Sequence, residues 1–171
     1  MPDTPTSLAI RDKVETMALA WFERELAAAL LATPALVPLW APVTLRRRKN
    51  QLERSFPRVV FDAPNAPEEE AVEGLYRVSL QIYLGTSADE APVPTGFADL
   101  AEAHQRRSGL IEEIFGFGNR PAMIAWAADP TGPIKGLLLY DLYVEDGMGD
   151  QTDRHWFDQA NYSVVASLQD E

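Results

Sequence analysis

The sequence predicts an α+β domain: a mostly antiparallel sheet buries one face against two amphipathic helices, and a long β-hairpin lies near the C-terminus. Three observations carry this reading. Two stretches repeat apolar residues at three- and four-residue spacing, one stretch alternates apolar and polar residues strictly, and two β-rich runs are joined by a glycine-bearing connector. A chain of 171 residues suits one domain, taken here as 1–171. Neither an internal repeat nor a low-complexity segment argues for a second.

The first helix is expected over Ser7–Ala32. Val14, Met17, Ala18, Trp21, Phe22, Leu26, Ala29 and Leu30 form one apolar stripe, with Ser7 as N-cap and Thr33-Pro34 as the stop. Val43-Thr44-Leu45 reads as a short strand leading into a basic block. Arg58-Val59-Val60-Phe61, after Pro57, reads as another. Phe61 to Glu70, with two prolines and three successive glutamates, reads as an exposed loop.

The clearest strand is Leu75–Leu84. Tyr76, Val78, Leu80, Ile82 and Leu84 alternate with Arg77, Ser79, Gln81 and Tyr83, which marks one buried and one wetter face. Gly85–Gly96 reads as a long loop. A second helix is expected over Phe97–Phe115, its stripe carrying Leu100, His104, Ser108, Ile111 and Ile114, with Gly116 as the stop. Ala122–Ala128 fits helix or strand. Lys135–Glu145 and Arg154–Leu168 are expected as hairpin strands joined by a connector from Asp146 to Thr152. The predicted order is α-β-β-β-α-β-β.

The formal net charge is −11, a poor match to a nucleic-acid backbone. The charge is unevenly placed. Residues 1–58 are net basic, by +3, owing mainly to Arg46, Arg47, Arg48 and Lys49. Residues 140–171 carry −7, and residues 61–90 carry −6. Such asymmetry gives a molecule unlike faces and favours ordered head-to-tail docking. The basic block has no neighbouring aromatic residues on which bases would stack, so a partner with an acidic surface fits it better than DNA does.

Catalytic signatures are missing. Without cysteine there is no disulfide, thiolate zinc site, iron–sulfur cluster or cysteine nucleophile. Phe115 to Pro121 is glycine-rich but matches no phosphate-binding loop. His104 reads as a satisfied, partly buried histidine. His155 follows Asp153, which would orient it, and Asp141 or Glu145 would approach from the partner strand, but no nucleophile motif accompanies them. Asp146, Asp150 and Asp153 miss the spacing of a calcium loop, leaving at most an adventitious divalent-ion contact. No catalytic residue, metal site or cofactor is therefore expected. The N-terminus shows no leader pattern, and the apolar run Leu26–Trp40 falls short of the roughly 20 residues a membrane span needs.

The layout resembles that of the tail-terminator (tail-completion) proteins of long-tailed bacteriophages and related gene-transfer particles. The likeness runs from Val14 to Leu168. It rests on the N-terminal amphipathic helix, the proline-led strand PRVVF, the alternating strand YRVSLQIYL, the helix FADLAEAHQRRSGLIEEIF, and the hairpin YDLYVEDGMGDQTDRHWFDQANYSVVASL. The resemblance implies a structural virion protein of the tail or neck, assembled in the host cytoplasm and independent of membranes. It implies a homo-oligomeric, hexameric ring that caps the tail tube and joins it to the head–tail connector or stopper, with DNA passing through unbound. On that reading Arg46, Arg47, Arg48 and Lys49 are the candidate partner interface. Glu68, Glu69, Glu70, Glu145, Asp146, Asp150 and Asp153 are the candidate acidic lumen or loop. Two other readings stay open: another phage neck, baseplate or secretion-system adaptor, and a small-ligand-binding or hydrolytic domain using Tyr76, Tyr83, Tyr140 or Tyr143 with His155.

Overall fold

The structure, a computed structural model, describes residues 5–47, 56–68, 73–89, 92–129, 134, 136–152 and 154–168. Helix α1 spans Pro5–Ala32. The helix starts before Ser7, which lies buried inside it rather than capping it. The first half of the predicted stripe is fully buried: Val14, Met17, Ala18, Trp21 and Phe22 are all within 1% of complete burial, as is Ile10, which the stripe did not include, while Leu26, Ala29 and Leu30 are partly buried. Thr33 ends the helix, a 3₁₀ turn at Pro34–Leu36 follows, and the single-turn helix α2, Val37–Trp40, inserts Leu39 and Trp40 into the core.

Five strands form one sheet in the order β1-β2-β3-β5-β4. β1 (Thr44–Arg47) runs parallel to β2 (Arg58–Asn65), and all other neighbours are antiparallel. β1 contains Arg46 and Arg47 instead of leading into them. β2 runs past Phe61 through Pro64, so residues 62–65 are strand and not loop. Proline is tolerated because Pro64 falls at the register shift between Asp62 and Asn65 in the pairing with β3, where the ladder is interrupted, and the neighbouring Ala63 N–H donates to Glu15 instead.

β3 (Tyr76–Ser87) is central. Its even-numbered residues from Tyr76 to Leu84 belong to the core. It outlasts the predicted strand because Gly85, Thr86 and Ser87 pair with Phe157, Trp156 and His155. Gly85 leaves room for the Phe56 ring, which would stand 2.9 Å from a Cβ there.

Helix α3 covers Leu100–Ile114. It starts later than predicted because Asp99 caps it: the carboxylate accepts the Glu102 N–H at 2.8 Å, and Glu102 accepts the Ala98 N–H at 2.9 Å. Gly116 follows the helix without a left-handed turn. It is needed instead because a Cβ would lie 2.9 Å from the Glu112 carbonyl. Residues Arg120–Ala127 are helix α4, which settles the ambiguous segment.

β4 (Leu137–Gln151) and β5 (His155–Leu168) make the C-terminal hairpin. The predicted connector is mostly strand: Asp146 to Gln151 pair with Asn161 to Trp156 in unbroken register. The glycines at 147 and 149 are strand positions, so the ribbon runs on to a tight closure in which the Thr152 N–H donates to the His155 carbonyl. The observed class is α+β, a single compact domain with a mostly antiparallel five-stranded sheet. Among the described residues, no helix is long and apolar enough to cross a membrane.

Candidate functional site

Strand order decides where the predicted charges go. β1 and β4 are the two edges of the sheet, so the basic strand and the acidic ribbon lie about 19 Å apart, four inter-strand steps. On β1, Arg46 is exposed and shares a face with Val60 of β2. Arg47 turns the other way, donating to the Asp12 carboxylate, to the Asp12 carbonyl at 3.1 Å and to Glu15 at 3.4 Å. Glu15 is 1% exposed and also accepts the Ala63 N–H at 3.0 Å. Arg47 thus ties β1 to α1. Arg48 and Lys49 lie outside the described residues.

The acidic candidates divide between the two ends of the sheet. Glu68 bridges to Tyr76 at the start of β3 and accepts the Gly74 N–H at 2.6 Å. Asp150 stands across from Phe157, which pairs with Gly85, nine residues or about 30 Å further along β3. Glu145, Asp146 and Asp150 are all exposed, and Asp146 accepts from the Asn161 amide at 2.6 Å. Glu69, Glu70 and Asp153 lie outside the described residues. Asp146 and Asp150, four strand residues apart, are separated by about 13 Å. Among the described residues no cluster of three metal-ligating side chains forms.

His155 does not meet the carboxylates expected from the partner strand, Asp141 and Glu145. The register places Asp141 opposite Val165 and Asp146 opposite Asn161, well along the strand from His155, whose ring lies 3.5 Å from the Thr152 hydroxyl. Tyr76 and Tyr83 are buried on opposite faces of β3, while Tyr140 and Tyr143 are exposed on β4. Tyr83 and His155 do line one cavity, of about 170 Å³, together with Phe56, Arg58, Trp156 and Phe157, while Tyr76, Tyr140 and Tyr143 lie outside it.

A cleft of about 580 Å³ is built where the ribbon extends past α3. Ser108, Ile111 and Glu112 of α3 form one wall; Leu84, Ala160 and Tyr162 form the floor; Val144 and the two ribbon glycines form the far side. Burial and the nearby Glu112 charge push the Tyr162 hydroxyl up to about 12. Asp158 lines the cleft and is held by His104, whose Nε2 lies 2.8 Å from the carboxylate and whose Nδ1 lies 2.8 Å from the Thr86 hydroxyl. Gly149 leaves room for this carboxylate: a Cβ there would stand 2.6 Å from Asp158 Oδ1, so a larger residue would force it to shift. A hydroxyl, an imidazole and a carboxylate in sequence are the parts of a nucleophilic triad. Here Thr86 has no exposed surface, so its hydroxyl is closed off from solvent. The relay's work is to fasten β3, α3 and β5 together. His104 is thus buried and satisfied as the sequence suggested. Its carboxylate partner was not legible, because Asp158 is 54 residues away.

The His104 hydrogen bond holds Asp158 below the ordinary carboxylate range against the opposing pull of burial, with the His104 charge and Ser108 adding to the lowering. A carboxylate with a depressed folded pKa stabilises the fold fully above its unfolded pKa and loses that contribution as pH falls through the folded value. The stability gap between the native chain and Asp158→Asn is therefore expected to be widest at neutral pH and to close in acid. With the Asp158 side chain 38% exposed, solvent screening keeps the gap under about 1 kcal/mol. Urea denaturation at neutral and acidic pH measures it, and a gap independent of pH would contradict the assignment.

The chain matches no protein-family model and no curated protein sequence.

Proposed function

We propose that the chain is a structural ring subunit of a tailed-phage neck, a tail terminator that caps the tail tube and joins it to the head–tail connector. One observation supports this above the others: a single sheet carries a basic strand at one edge and a long, exposed acidic ribbon at the other. Unlike edges on opposite sides of a rigid body are what a closed ring of head-to-tail contacts requires. In this reading the β1 edge contacts an acidic neighbouring subunit or the tube protein. Glu145, Asp146 and Asp150 keep the ribbon's exposed surface negative, so passing DNA is repelled rather than gripped. The ring is taken to hold six copies.

The test is native mass spectrometry and electron microscopy of the full chain, alone and with the tube protein of the same particle. A closed ring seated on the tube end is the expected result. A strict monomer that ignores the tube would sink the proposal.

A further inference from the structure

The outward edge of β4 is closed only in places. At Leu142 the N–H donates to the Asp141 carboxylate at 2.8 Å and the carbonyl accepts from Arg120 at 3.1 Å. At Gln151 the N–H donates to Asp150 at 2.8 Å. Between these points the strand is exposed throughout, with Tyr143, Val144 and Met148 at 43–64% exposure, and no described strand pairs with it. A long edge carrying apolar side chains is a template for another strand, which proteins otherwise blunt. β1 is the other edge, and among the described residues it pairs only with β2.

Resting on the ring reading above, we propose that the β4 edge of one subunit receives the β1 edge of the next, so that the sheet continues from copy to copy around the ring. The faces match. Thr44 and Arg46 lie on the face of β2's Arg58 and Val60, which pair with Gly85 and Tyr83, and these pair in turn with Phe157 and Gln159. Asp150 and Met148 stand opposite Phe157 and Gln159, and Asp146 lies two residues before Met148. A flush continuation of the sheet therefore puts Arg46 on the same face as Asp146 and Asp150 of the neighbour. Opposite charges on neighbouring strands stabilise, and like charges opposite one another destabilise. Pairing β4 with β4 about Met148 would set the Asp146 and Asp150 of one copy opposite the Asp150 and Asp146 of the other, and pairing β1 with β1 would bring the arginines of two copies together. Charge thus selects the unlike pairing, the one that closes a ring instead of a two-fold dimer. Three ribbon acids against one Arg46 leave the joint negative toward DNA.

The absence of native cysteine makes crosslinking unambiguous. Thr44→Cys and Met148→Cys are made singly and together in the full chain, leaving every charge in place, and treated with a short bis-maleimide under the conditions of the native mass measurement. The double variant is expected to give a ladder of covalent oligomers up to the ring number, and neither single variant to pass background. A closed ring with no ladder overturns the joint and leaves the ring standing. Efficient dimers from Met148→Cys alone overturn the joint in favour of two-fold pairing. A chain that stays monomeric with the tube protein overturns the ring and the joint together. As a second readout, Arg46→Glu is expected to raise the concentration needed for assembly about tenfold at low salt, and Asp146→Arg added to it to restore most of that loss.

Discussion

Replacing Arg107 by alanine is expected to lower the unfolding free energy by about 3–4 kcal/mol, the sum of a large core truncation and a stranded carbonyl. Arg107 has no exposed surface, although it sits beside the exposed Arg106. Its Nε and Nη2 both donate to the Leu39 carbonyl, at 2.9 and 2.8 Å. That carbonyl belongs to the last turn of α2, where the backbone offers no intrahelical donor. Burial lowers the guanidinium pKa to about 10, so the group stays charged at neutral pH. Part of its desolvation cost is offset by these two bonds, while Nη1 has no described partner. Arg107→Met separates the contributions. It refills most of the volume and removes the buried charge but leaves Leu39 unpaired, so a loss of about 1–2 kcal/mol is expected. Denaturant unfolding of both variants measures the difference. A loss below 1 kcal/mol for alanine would mean that the site collapses without cost and that Arg107 does not hold α2 to α3.

Arg107 also shows how far periodicity carries. Ala103, His104, Arg107, Ile111 and Ile114 are the buried face of α3 at three- and four-residue spacing. The three- and four-residue spacing alone allows Ser108 in place of Arg107, and a one-residue choice turns the face by about 100°; arginine is rarely buried, so residue type does not point to Arg107. The long periodic elements α1, α3 and β3 were legible because burial alone dictates their pattern. Their ends were not, because ends depend on individual bonds: the Asp99 cap at the start of α3, the pairing of Gly85 to Ser87 with β5. The ribbon glycines misled for a physical reason. Glycine marks turns because it tolerates unusual φ, but Gly149 is present to let Asp158 lie against β4 beneath His104. The unlike charges of the two halves were legible as numbers. That they occupy opposite edges of one sheet was not, because edge position follows from the order β1-β2-β3-β5-β4, which involves contacts across most of the chain.

Trp21→Ala is expected to be the most damaging single change, at about 4–5 kcal/mol. Trp21 is 1% exposed, and three helices meet on it. From α1 its Nε1 donates to the Ile114 carbonyl at the end of α3 at 3.2 Å, and its ring lies 5.3 Å from that of Trp126 on α4. The Arg24 guanidinium sits 5.2 Å from the ring centre on the outer side. Trp21→Phe keeps an aromatic body and loses the indole hydrogen bond, so about 1–2 kcal/mol is expected. The two variants also differ in what they do to assembly. α1 carries Asp12 and Glu15, which hold Arg47 and thereby the basic edge strand. If α1 loosens from α3, β1 loses its support, and the edge proposed to enter the next subunit is no longer presented as a strand. Trp21→Ala should therefore abolish ring formation at temperatures where Trp21→Phe still assembles, and hydrogen exchange should show β1 opening before β3 and β5. Equal losses for alanine and phenylalanine would show that the hydrogen bond, not the packed volume, fastens α1. Assembly surviving in the alanine variant would show that β1 is held by the sheet alone.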